Sequence, residues 1–225
     1  MENEINVLIH GFAGTVDEIL YLKDFLDKKG INTYALKLSG HDGTKKGLHK
    51  SSHKDWVKSA EEEVAKLCES YEKVNLIGFS MGGLICIGLS RIFKVNKLVL
   101  INAPVYIWNF KIIARRVFGD LFGGGMENIS YYRYNIFRVS LKSCVSFLRL
   151  LRKSNKTLET GQADTIILQC MDDELVHYKS AQYLKNKLGE KAILRYYEGG
   201  RHQIFVVAPE LMDIFCDEIF GFISD

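Results

Sequence analysis

The sequence predicts an α/β protein with a mostly parallel central sheet and helices on both faces, and three observations predict it. Six short apolar runs rich in β-branched residues, at 5–9, 33–38, 74–79, 97–101, 165–170 and 192–197, read as buried strands. Helical patterns lie between them at about 16–29, 54–71, 81–93, 177–188 and 209–223, the last opening on Pro209, a residue suited to a first helical turn. Strands alternating with helices give parallel crossovers. The third observation is length: 225 residues suit one compact domain, since a single core serves up to roughly 250–300.

The alternation breaks after Pro104 and resumes near Thr165, so the chain divides into a core of residues 1–104 and 160–225 and an inserted cap of 105–159. Charge marks the same division. Between Val105 and Leu158 stand ten basic residues against Asp120 and Glu127, a balance of +8, which leaves −5 for the rest of a chain of net charge +3. Within the insertion, Phe137, Leu141, Cys144, Val145, Leu148 and Leu151 recur at helical spacing and predict an amphipathic helix with these residues inward. Gly123, Gly124 and Gly125 predict a joint between two helical pieces.

Apolar residues make up 47% of the chain and charged ones 25%, which excludes wholesale disorder and fibrous architectures. No apolar run approaches the ~20 residues of a membrane-spanning helix, and the acidic start Met1-Glu2-Asn3-Glu4 has no export-signal character. The five cysteines are scattered without a CxxC pair, which fits reduced thiols and predicts a cytoplasmic protein. Nicotinamide and nucleotide-phosphate loops are absent: residues 10–14 read His-Gly-Phe-Ala-Gly instead of GxGxxG, and no GxxxxGK[ST] occurs. No HExxH or Cys/His cluster marks a metal, and no cofactor is expected. The basic insertion carries no nucleic-acid motif.

The chemistry points elsewhere. Gly78-Phe79-Ser80-Met81-Gly82 follows a strand and opens a helix, the context of a nucleophile elbow, in which the turn strains the serine backbone and its neighbours must lack a Cβ. In that architecture an acid and then a histidine follow the serine along the chain, which excludes His10, His41, His49 and His53. His177 lies at a helix start, whereas His202 follows the last strand and is the base expected from position. The acid belongs to the loop after 165–170, where Asp172, Asp173 and Glu174 compete; the two not used are expected to be surface charges. Oxyanion stabilisation requires two backbone N–H groups, expected from Met81 and Phe12.

These motifs resemble the α/β-hydrolase superfamily, and within it the small bacterial carboxylesterases and monoacylglycerol lipases with a short helical cap. The resemblance spans nearly the whole chain: LIHGFAG at 8–14, GHDG at 40–43, Asp55-Trp56, GFSMGG at 78–83, NAP at 102–104, DDELV at 172–176 and the Gly200-Arg201-His202 loop. It implies an Asp-x-x-Val/Ile acid, matched by Asp173 and Val176, and an acyl-enzyme on Ser80. The chain departs from that family where Arg201, not Gly, precedes His202, and in its basic cap. Trp108, Phe110 and Ile113 are the expected lining of an acyl pocket, and the substrate a small ester, lipid-like or anionic. A thioesterase or acyltransferase uses the same three residues, and a silent binding protein shares the fold.

Overall fold

The computed structural model describes residues 3–107, 139–156, 158, 163–207 and 209–225. All six predicted strands form: β1 (Glu4–Ile9), β2 (Thr33–Leu36), β3 (Lys73–Phe79), β4 (Lys97–Ile101), β5 (Asp164–Cys170) and β6 (Ala192–Tyr197). They make one sheet in the order β2-β1-β3-β4-β5-β6 with every pair parallel. Successive side chains point to opposite faces, and both faces are dry, which is why the strands read as continuous apolar runs. Val7, Ile9, Leu76, Leu98 and Leu100 pack on one face, and Leu8, Ile77, Val99 and Ile101 on the other.

The first face is covered by α3 (His53–Ser70), α4 (Met81–Leu89) and α6 (Lys179–Leu188), the second by α1 (Leu20–Lys28), α7 (Ile204–Val207) and α8 (Pro209–Ser224). Trp56 of α3 is fully buried, with its indole N–H donated to Ser51 Oγ at 2.8 Å. Two helices depart from expectation. The helix expected over 16–29 begins as a 3-10 turn, Val16–Ile19, whose entry is fixed by Thr15 Oγ1 accepting the Asp17 N–H at 3.3 Å. An unpredicted helix, α2 (Lys45–Lys50), carries one buried apolar residue, Leu48, and is capped by Thr44 Oγ1, which accepts the Gly47 N–H at 2.9 Å.

The amphipathic helix forms as α5 (Leu141–Lys156), but only part of its apolar face turns inward. Leu151 is buried as expected and Cys144 half-buried, but Leu141, Val145 and Leu148 face outward, Leu141 at 82% exposure, while Ser143, Ser146 and Leu150 take inner positions. Hydroxyl bonding explains the rotation: Ser143 Oγ donates to the Leu48 carbonyl at 3.3 Å and pairs with Ser140 Oγ at 2.7 Å, tying α5 to α2. Phe137 and Gly123–Gly125 lie outside the described residues. Just after β4, Tyr106 bonds to the loop after β5 and to the start of α6: its carbonyl accepts the His177 N–H at 2.9 Å, and its N–H reaches Ser180 Oγ at 2.9 Å. No helix among the described residues is long and apolar enough to cross a membrane.

Candidate active site

The carboxyl ends of β1, β3, β4, β5 and β6 converge, and the loops that follow them carry the candidate residues, as expected for an open parallel sheet. Ser80 occupies the turn between β3 and α4 at φ +53°, ψ −119°, a conformation a side-chain-bearing residue adopts only at a cost of order 1–3 kcal/mol. Surrounding contacts impose it: the Ser80 N–H donates to the Ile101 carbonyl at 2.8 Å, and its own carbonyl accepts the Gly83 N–H at 2.9 Å. The flanking glycines are steric necessities. A Cβ at Gly78 would lie 2.5 Å from the Gly83 backbone, and one at Gly82 would overlap the Ile9 carbonyl.

Ser80, His202 and Asp173 meet in one buried chain of hydrogen bonds. His202 Nε2 is 2.8 Å from Ser80 Oγ, and Nδ1 is 2.8 Å from Asp173 Oδ2. A carboxylate only accepts, so Nδ1 carries the ring hydrogen and Nε2 is left to accept the serine proton. Asp173 is itself held, Oδ1 accepting the N–H groups of Leu175 and Val176, both at 2.8 Å. Burial drives the His202 imidazolium down, but the charge and hydrogen bond of Asp173, joined by Glu174 and Glu18, outweigh it and raise the pKa above its ordinary value. Of the competing acids, Asp172 is half-buried. Glu174 is no surface charge, contrary to expectation: it is fully buried, and its Oε2 accepts the His202 backbone N–H at 3.3 Å, because the histidine loop closes over it.

Met81 directly follows Ser80, and Phe12 follows Gly11, where a Cβ would stand 3.3 Å from Ser80 Cβ. Met81 opens α4, where first-turn N–H groups have no partner within the helix. Phe12 follows β1, and its ring stacks on Phe147 of α5 at 4.9 Å and lies 5.7 Å from Trp56. Beneath it, His10 and His41 stand 5.0 Å apart, each with a pKa lowered to about 4, chiefly by burial, so both are neutral near pH 7. His10 Nε2 accepts the Leu38 N–H at 3.3 Å, a scaffold role consistent with its exclusion as base. Trp108, Phe110 and Ile113 lie outside the described residues.

Sequence reasoning passed over Asn102 as a site residue. At φ +47° after β4, its side chain accepts the Cys170 N–H at 2.9 Å and donates to the His202 carbonyl at 3.1 Å. The signal was available in kind: asparagine at a strand end is among the few residues that tolerate positive φ.

This architecture is the α/β-hydrolase fold, and the family model described as alpha/beta hydrolase fold matches residues 7–116. Particular relatives follow from sequence and structure. The chain is 21% identical to a carboxylesterase of Bacillus subtilis (strain 168) over 206 residues, covering 88% of this chain and 84% of that one. It is 24% identical over 200 residues to a thermostable monoacylglycerol lipase of Bacillus sp. (strain H-257), covering 84% and 79%. The crystal structure of a Paleococcus ferrophilus monoacylglycerol lipase superposes with a TM-score of 0.71 at 19% identity, covering 97% of this chain and 93% of that one.

Proposed function

We propose that this protein hydrolyses carboxylic esters through an acyl-enzyme on Ser80. The observation that carries the reading is the Ser80–His202–Asp173 chain, with both links at 2.8 Å. His202 Nε2 takes the hydroxyl proton as Ser80 Oγ attacks the carbonyl carbon, and Asp173 steadies the imidazolium. The backbone N–H groups of Phe12 and Met81 receive the oxyanion. On collapse the ester C–O bond breaks, His202 protonates the departing alcohol, and the acyl group stays on Ser80. Water then gives a proton to His202 and attacks the acyl carbon, and Ser80 leaves with that proton as the free acid forms.

The acyl group is assigned to the cap, residues 105–159, with Trp108, Phe110 and Ile113 against the chain. Relatives named carboxylesterase and monoacylglycerol lipase support a small ester or lipid-like substrate. The excess of cations in the cap favours an anionic group or surface nearby. Five free thiols support a reducing, cytoplasmic setting.

Hydrolysis of p-nitrophenyl esters from acetate to palmitate tests the reading. Wild-type activity with one preferred chain length, lost by about 10,000-fold or more in a folded Ser80→Ala, is the expected result. A folded wild type inactive on every ester, or a Ser80→Ala that retains its rate, overturns it.

A further inference from the structure

Glu18 lies in the half-buried 3-10 turn Val16–Ile19 and has no part in the scheme above. Its carboxylate nevertheless reaches two loops at once. Oε2 accepts the Gly11 N–H at 3.1 Å, and Oε1 accepts the side-chain N–H of Gln203, 185 residues away in sequence, at 3.0 Å. Each partner is one residue removed from a group in the proposed chemistry: Gly11 precedes Phe12, and Gln203 follows His202. We propose that Glu18 is a positioning residue that locks the oxyanion loop to the base loop, holding donor and base in one geometry about Ser80. The proposal rests on the serine-hydrolase reading.

Packing supports it. A Cβ at Gly11 would stand 3.2 Å from Glu18 Oε2 and 3.3 Å from Ser80 Cβ, so this stretch of loop is clasped between the nucleophile and the Glu18 carboxylate. A Cβ at Gly14 would overlap that carboxylate, so the glycine is what admits it. The residue type also fits: two converging donors need two acceptors, and a carboxylate has two acceptor oxygens where an amide has one. The charge acts at a distance as well, since Glu18 is among the groups that favour the protonated form of His202.

The test uses full-length Glu18→Ala, Glu18→Gln and Gly14→Ala, each with thermal melting, kcat and KM on a p-nitrophenyl ester, a pH–rate profile, and NMR titration of the His202 ring proton, which needs no substrate. Glu18→Ala is expected to lower kcat by roughly 10- to 100-fold with little change in KM, the size of loss that a small misplacement of reacting groups produces. Glu18→Gln keeps one acceptor and removes the charge, so it retains more kcat than Glu18→Ala while its acid limb and its His202 midpoint both move to lower pH. Gly14→Ala pushes the carboxylate aside and reproduces the Glu18→Ala loss with residue 18 unchanged. A Glu18→Ala with wild-type kcat, or a loss that follows melting temperature while the His202 midpoint stays fixed in Glu18→Gln, overturns the proposal. If wild type cleaves no ester, the hydrolase reading fails separately, and the NMR midpoint alone decides: lowered in Glu18→Gln it supports the link, unmoved it refutes it.

Discussion

The serine turn and the histidine loop sit a hydrogen bond apart but are held by different means. Ser80 is placed mainly by backbone packing around its own turn: the strand before it, two glycines with no room for a Cβ, the first turn of α4, and the backbone of the adjacent strands at Ile9 and Ile101. His202 is placed by side chains from across the chain: Asn102 on its carbonyl, Glu174 on its N–H, Asp173 on its ring. The difference teaches that a nucleophile can be encoded by a short run of residues that satisfies backbone sterics, whereas its base is positioned by a set of distant side-chain contacts. Damage to the first should cost the fold, and damage to the second should cost rate, by an amount set by which contact is lost.

The largest test of that contrast is Asp173→Asn, which leaves the shape and offers His202 Nδ1 the wrong hydrogen-bonding pattern; kcat should fall by about 10,000-fold with the melting temperature little changed. Gly82→Ala tests the other side. Its Cβ meets the Ile9 carbonyl, so denaturant titration should show a loss of roughly 4 kcal/mol or more, or no folded protein. An Ala there that melted like wild type would break the comparison. Asn102→Ala removes two buried bonds and places Ala at positive φ, so stability should drop by about 2–3 kcal/mol and kcat by a smaller factor than in Asp173→Asn. Smallest is the effect of pH on wild type. Attack requires neutral His202, whose pKa is raised from 6.5, so kcat/KM should rise with pH along an acid limb centred above 6.5, and a limb below that value would contradict the carboxylate environment described.

The same contrast governs what the sequence disclosed. Strand positions were legible because both sheet faces are apolar, and the elbow was legible because the glycines and serine that meet its steric demands fall within five residues, 78–82. The role of Asn102 was not, since its partners Cys170 and His202 are 68 and 100 residues distant. Helix α2 escaped notice because Lys45, Lys46, His49 and Lys50 give it no apolar stripe; Leu48 and the Thr44 cap hold it in place. The face of α5 was misassigned in part for a related reason: apolar period selects Leu141, Val145 and Leu148 along with the buried Leu151, but Ser143 is drawn inward by an acceptor on α2 that no helical wheel displays.

The long connection that departs after β4 returns at β5, and these are hydrogen-bonded neighbours paired from Lys97↔Asp164 to Ile101↔Leu168. Asn155, at the end of α5, donates to the Val105 carbonyl at 3.4 Å, so the two ends of this segment are also pinned to each other by a bond of its own. Closing such a loop grows dearer only with the logarithm of its length, about 0.6 kcal/mol for each doubling. The stem is therefore a socket: segments of other lengths and compositions are expected to be exchangeable between 107 and 139, where α5 keeps its contacts with α2, α4 and Phe12, with the sheet, the elbow and the histidine loop left intact.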